Sequence, residues 1–407
     1  MKMTNETRQS QACLSYALQG GIIQMMKPRL LLIALLFVLC ASQAGARSPK
    51  VEKTPAQKLI ERLTKLQKRG IMYGHQDDPF YGITWEWEQG RSDTYDLVGD
   101  YPGVMGFDLG GIEMGDDKNL DSVPFTWIRE EIIKHHERGG IVTLSWHPRN
   151  PMLGTTAWIE SDIKSFEAAK PYLEKTGQLG LVLDPKSTVK EILPGGKGHS
   201  KFMTWLKRVE TFILSLTTAD GNPVPVIFRP WHEYNGGWFW WGKGNCTDQD
   251  FLRLWNLTQD YLNKSLSASI VWSCSPNLGV NLQEFYNRWP GDERVDLLGL
   301  DAYQWSTEED FVKQCNADMD FLDAYAQEHG LLLAFTECGY KNSPDATWWS
   351  RVLLPIMEKH HPCYFLPWRN FKREHFGAAP GIATADDFKQ MAKNKRILFV
   401  KDIKKVK

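Results

Sequence analysis

Short apolar runs recur along the chain from residue 71 onward: Ile71–Tyr73, Val104–Phe107, Ile141–Trp146, Val224–Phe228, Ile270–Trp272, Val295–Leu300, Leu331–Phe335 and Cys363–Leu366. None sustains a polar alternation, which is the pattern of strands buried on both faces. Between several of them apolar residues return at helical spacing, over Phe125–His136, Phe251–Leu262, Phe311–Ala326 and Thr347–Glu358. An earlier amphipathic helix is predicted over Val51–Lys68 from Leu59, Ile60, Leu63 and Leu66. Strands alternating with helices in this way predict an α/β fold, either a closed (β/α)8 TIM barrel or an open doubly wound sheet. The polar residues favour the barrel. His75, Asp108, His147, Glu233, Asp301, Glu337 and Arg369 each follow the C-terminal end of a different run, and a closed barrel brings such ends to one mouth. Pro185–Ser200, with Gly195, Gly196 and Gly198, reads as a loop and lacks the full phosphate-loop pattern.

The start of the chain departs from this rhythm. Lys27 and Arg29 precede an apolar run from Leu30 to Cys40, followed by Ala44-Gly45-Ala46. That is the layout of a secretory signal, too short to cross a bilayer as a stable span. Residues 1–46 are therefore expected to be a signal peptide with an extra upstream segment, the working start being Met25 or Met26, and residues 47–407 a single catalytic domain. The expected destination is secreted or periplasmic. Leu39, bulky where a small residue is needed, argues against a lipid anchor on Cys40.

At 407 residues, 42% hydrophobic and with 17 tryptophans, the chain has ample material for a core. A formal net charge of −1 supplies no cationic field for a nucleic-acid backbone. Cys246, Cys274, Cys315, Cys338 and Cys363 follow the leader and contain no CxxC pair, so a zinc knuckle or thioredoxin-like site is not expected. Between a disulfide and buried free thiols the sequence does not decide. No HExxH helix is present, and no metal or organic cofactor is expected. The triplets at Asn245, Asn256 and Asn263 match the glycosylation pattern, but two fall in a predicted helix, which favours a structural reading.

The chemistry concentrates in Arg229-Pro230-Trp231-His232-Glu233-Tyr234-Asn235-Gly236-Gly237-Trp238-Phe239-Trp240-Trp241-Gly242, directly after the fourth run. One carboxylate sits there among glycines and a dense aromatic wall. Aromatic faces stack on the C–H faces of sugar rings, while polar groups select hydroxyl orientations. A second carboxylate stands in Thr336-Glu337-Cys338-Gly339-Tyr340, after the seventh run. Strand ends four and seven face one another across a barrel mouth. Two such carboxyls suit glycoside hydrolysis, in which one protonates the leaving oxygen and its ionised partner attacks the anomeric carbon or activates water.

In Trp231-His232-Glu233, Trp238-Phe239-Trp240-Trp241-Gly242, Asp301-Ala302-Tyr303 and Thr336-Glu337 the chain resembles glycoside hydrolase family 26, whose best-known members are β-mannanases, and the likeness extends over nearly all of residues 70 to 370. The resemblance implies a retaining (β/α)8 glycosidase with Glu233 as acid/base and Glu337 as nucleophile. It further implies substrate-binding positions at His147, His232, Trp238, Asp301, Tyr303, Trp368 and Arg369, with Tyr303 hydrogen-bonded to Glu337. His75 is expected either to line the pocket or to brace the barrel, Trp240 and Trp241 to support their loop, and Trp272 with Asn277 forms a weaker candidate.

The expected activity is endo-β-1,4-mannan hydrolysis on mannan, glucomannan or galactomannan, by a monomer acting on polysaccharide or manno-oligosaccharides. Alternatives on the same frame are mannobiose release, β-1,3/1,4-glucan cleavage and xylan cleavage. A carbohydrate-binding protein is the non-enzymatic alternative.

Overall fold

The computed structural model of the protein describes residues 52–406; the expected leader and the first residues of the expected catalytic domain lie outside them. Eight parallel strands run β1 Ile71–Gln76, β2 Val104–Asp108, β3 Ile141–Ser145, β4 Val226–Arg229, β5 Ile270–Cys274, β6 Leu297–Tyr303, β7 Leu332–Gly339 and β8 Tyr364–Pro367. Each pairs with the next, and β1 pairs with both β8 and β2. The ring is closed, as the distribution of polar strand ends predicts. A two-residue ninth strand, β9 Ile397–Leu398, adds to the start of β1.

Nearly every strand residue is buried. This is why the runs lack alternation: one face meets the barrel interior and the other meets helices. The helix Pro55–Gln67 opens with a reciprocal cap between Thr54 and Gln57 and buries Ala56, Leu59, Leu63 and Leu66. Those residues pack with Met72, Val104, Ile141, Ile227, Val271 and Leu297 at the strand starts, sealing the end of the barrel away from the polar residues.

Several boundaries move for local reasons. The helices Asp248–Leu266 and Glu308–His329 begin before the first apolar contact, because the hydroxyls of Thr247 and Thr307 accept the N–H groups of Asp250 and Asp310 at 3.0 and 3.2 Å. The segment over Thr347–Glu358 is not one uniform helix. A π-turn over Trp349–Leu353 leads into Leu354–His360, with Pro355, which has no N–H, just past the junction. Pro185–Ser200 is not a plain loop: it holds a helix at Thr188–Ile192 and the start of His199–Leu214. The helix Glu160–Lys175 has no apolar stripe to announce it, since it buries only Leu173 and contains Pro171.

All five cysteines among the described residues are free thiols, and all but Cys246 are fully buried. No helix among the described residues is long and apolar enough to cross a membrane.

Candidate active site

The loop after β4 is built around a tryptophan cluster. Trp231, Trp240 and Trp241 are fully buried, with Trp231 meeting the other two nearly edge-on at 5.3 and 5.5 Å. The indole of Trp241 donates to the carbonyl of His232 at 2.9 Å. Asn245, in the first glycosylation triplet, is buried and donates to the carbonyls of Gly237 and Phe239 at 2.7 and 2.8 Å. It is a brace. At Gly236 any side chain would meet the ring of Trp238, with its first carbon 2.2 Å away. Trp231 and Glu233 both take left-handed backbone conformations, with φ of 53° and 52°. Non-glycine residues hold this conformation only where the surroundings enforce it. The result turns Glu233 toward the mouth, where its Oε2 accepts the indole N–H of Trp238 at 2.6 Å.

Glu337 reaches the same mouth from β7, which a register shift beside β6 places opposite Asp301. Both of its oxygens are held. Arg229, the last residue of β4, contacts Oε1, while the hydroxyl of Tyr303 donates to Oε2 at 2.6 Å. The same guanidinium donates to Asp301 at 2.7 Å and to the Ser275 hydroxyl at 3.2 Å. Asp301 also accepts from Thr336 at 2.6 Å. His232, Asp301 and Glu337 bring ligand-type atoms within 4.8 Å of one another, but Arg229 already gives both carboxylates a cationic partner. The two carboxylates and Arg229 form a buried ion-pair network.

The electrostatics act strongly on Glu233. Burial raises Glu233 well above the ordinary carboxylate range, and the nearby charges of Asp301 and Glu337 push the same way against the Trp238 hydrogen bond. Burial and the charge of Glu337 likewise raise Tyr303 far above its usual value, so it remains a donor. The histidines beneath divide. Burial opposes a charge on His147, yet Asp108, at 2.6 Å from Nδ1, reverses the balance and raises it. Burial, Arg229 and His147 together depress His232 well below its usual value. The Nε2 atoms of His147 and His232 share a hydrogen bond at 3.0 Å, its direction set by the two ring tautomers.

The family model described as "Glycosyl hydrolase family 26" matches residues 48–321. The chain belongs to glycosyl hydrolase family 26. A solved β-mannanase of this family from Bacteroides ovatus is 38% identical, with a TM-score of 0.78 over 86% of this chain and 96% of that one. A modular endo-β-1,4-mannanase from Cellulomonas fimi is 27% identical, with a TM-score of 0.73 over 86% and 76%. Among curated sequences, a mannan endo-1,4-beta-mannosidase of Bifidobacterium adolescentis is 28% identical over 84% of this chain. The chain spans 34% of that relative's length.

In this family 26 chain a cavity of about 490 Å³ lies over the strand ends and is lined by Glu233, Glu337, His147, Trp238, Tyr303, Trp368 and Arg369, among others. Seven of the residues expected from sequence thus come together. Three stand back. Asp301 is fully buried behind Glu337, and His232 sits beneath His147 with its Nδ1 unpartnered. His75 does not line the cavity: it is buried against Asp78 at 2.7 Å, with Gly377 packed on its other nitrogen. Of the weaker pair, Asn277 lines the cavity, whereas Trp272 is a core residue whose indole donates to Asn263 at 3.0 Å.

Arg229 was visible in the sequence as a cation closing an apolar run, but its two partners lie 72 and 108 residues away. Trp158 and Trp305 also line the cavity. Each continues an aromatic surface outward, Trp158 stacked on His147 at 5.4 Å and Trp305 on Tyr303 at 5.8 Å. No local pattern marks them.

Proposed function

We propose that this family 26 protein is a retaining endo-β-1,4-mannanase acting on mannan, glucomannan or galactomannan, exported by the leader at residues 1–46. The observation that carries the mechanism is the unlike setting of two carboxyls lining one cleft: Glu337 held on both oxygens by donors, Glu233 buried among negative charges beside a single indole. The mannan specificity is supported by the relatives, which are named as β-mannanases.

In the first step Glu233 gives its proton to the glycosidic oxygen as the bond from the anomeric carbon to that oxygen breaks. An oxygen of Glu337 forms a bond to the same carbon. The leaving portion departs with the proton, and Glu233 is now an anion. In the second step it takes a proton from water as the water oxygen bonds to the anomeric carbon, and the ester to Glu337 breaks. Two inversions give net retention. Arg229 and Tyr303 hold the attacking carboxylate and receive it again at the end of each cycle. Trp238 orients Glu233 and presents its ring to the sugar, while Trp158, Trp305 and Trp368 supply apolar faces along the cleft.

Time-resolved product analysis on mannohexaose, intact mannan, lichenan and xylan tests the reading. Rapid loss of mannan viscosity with internal cleavage of mannohexaose is expected. Turnover confined to glucan or xylan contradicts the substrate assignment, and mannobiose released stepwise without early viscosity loss contradicts the endo mode. Binding without turnover on every glycan contradicts the enzyme.

A further inference from the structure

Asp121 lines the main cleft on one side and a second cavity, of about 430 Å³, on the other. The second cavity lies among the loops after β1, β2 and β8, and its apolar surface is Trp87, Trp127 and Phe371. Trp87 and Trp127 are 37% and 41% exposed and meet edge-to-face at 5.7 Å. Neither is needed to fill the core.

The backbone beneath Trp87 gives a second, independent indication. Its φ is +63°, a conformation that costs a bulky side chain energy wherever it occurs. The loop enforces it by donating the Trp87 N–H to the carbonyl of Phe80 at 2.7 Å and by setting Tyr81 perpendicular to the indole at 5.8 Å. Burial does not offset the strain, because over a third of the side chain stays in water. Lys372, on the opposite rim, also has a left-handed backbone, at φ 49°, and its ammonium pairs with Glu86 at 3.1 Å. Two loops are thus held in costly conformations around one aromatic hollow.

The charges indicate the ligand class. Glu86 and Asp121 face Lys118 and Lys372, a balanced set with no field for a polyanion. Asp121 ion-pairs with Arg369 through one oxygen at 3.0 Å, while its other oxygen is buried without a hydrogen-bond partner. An aromatic floor with balanced charged groups at the rim suits a neutral ligand with apolar ring faces and hydroxyl edges. We propose that Trp87 and Trp127 form a distal glycan subsite that takes further neutral sugar residues of the polymer cleaved in the main cleft, on the far side of Asp121. The proposal rests on the mannanase reading for the identity of the polymer; continuity with the cleft through Asp121 argues for the same chain.

The test compares kcat/KM for the parent, Trp87→Gly, Trp127→Ala and the double variant, on intact mannan, mannohexaose and the shortest oligosaccharide the parent cleaves. Trp87→Gly removes the ring while relieving the left-handed backbone, so it should melt no lower than the parent. Expected is a loss of about ten-fold on mannan in the double variant, corresponding to about 1.4 kcal/mol, with the shortest substrate within about two-fold of the parent. Equal values on mannan, or an equal loss at every length, overturn the subsite. If the parent cleaves no mannan, the mannanase reading fails by itself, and the same variants are then run in native gels containing mannan, lichenan or xylan. Retardation of the parent that is lost in the variants keeps the subsite and reassigns its polymer. Unchanged mobility overturns it, as does capture of a protein partner whose binding requires both tryptophans while no glycan binds.

Discussion

Glu233 and Glu337 are the same residue type on two sides of one cleft, and the loops around them treat them in opposite ways. Glu337 lies within strand β7, fixed by Arg229 and Tyr303 on its two oxygens. Glu233 sits on a strained loop with one indole donor, in the field of two other carboxyls. The strand gives an oriented acceptor; the loop gives a group that holds its proton. Two carboxyls acquire different chemistry from what surrounds them rather than from what they are.

The contrast breaks most completely at the strand. Glu337→Gln should lower kcat on mannan about 10⁴-fold or more, since no other group in the cleft is held to attack the anomeric carbon. Kinetics within ten-fold of the parent would contradict its place. Glu233→Gln should cost about 10² to 10⁴-fold on mannan and far less for bond cleavage in an aryl glycoside whose leaving group needs no proton. Because Glu233 is raised by burial and nearby charge, parent activity should persist above the ordinary glutamate range and fall as Glu233 ionises. A kcat/KM profile that keeps this alkaline limb in Glu233→Gln would assign the limb elsewhere.

Smaller effects sharpen the same contrast. Tyr303→Phe removes one of two donors to Glu337; a hydrogen bond to a charged group is worth about 1.5 to 3 kcal/mol, so kcat should fall roughly 10- to 100-fold with little change in Tm. The smallest effect is on stability. A carboxyl raised on folding leaves the unfolded chain to ionise first, so its contribution to stability falls as pH climbs from the unfolded value toward the folded one. Glu233→Gln, which never ionises, should therefore be more stable than the parent at pH 7. The gain should vanish below about pH 4, where both states of the parent hold the proton. Denaturant titrations at the two pH values measure it, and a gain that persists in acid would point to packing instead.

Much of this site was legible because strand ends in a barrel are ordered by topology. Polar residues closing apolar runs named the members of the mouth, and His147, Glu233, Glu337 and Arg369 stand where that logic put them. It failed where depth rather than position matters. His75 and His232 also follow strand ends, yet both are buried to about 1% exposure and neither lines the cavity. Arg229 was in plain view, but its bridging of Asp301 and Glu337 is set by long-range register. The helix Glu160–Lys175 escaped notice because its surface position leaves no apolar stripe, and Trp87, Trp127, Trp158 and Trp305 because exposure has no local signature.

The central claim is that Glu337 bonds to the sugar while Glu233 moves the proton. Its most direct test is trapping with an activated 2-deoxy-2-fluoro-mannoside, followed by peptide mass analysis. The account predicts one glycosyl ester, on Glu337 in the segment Thr336-Glu337-Cys338, and no ester in Glu337→Gln. An ester on Glu233, or first-formed products of inverted configuration with no ester on either residue, would contradict it.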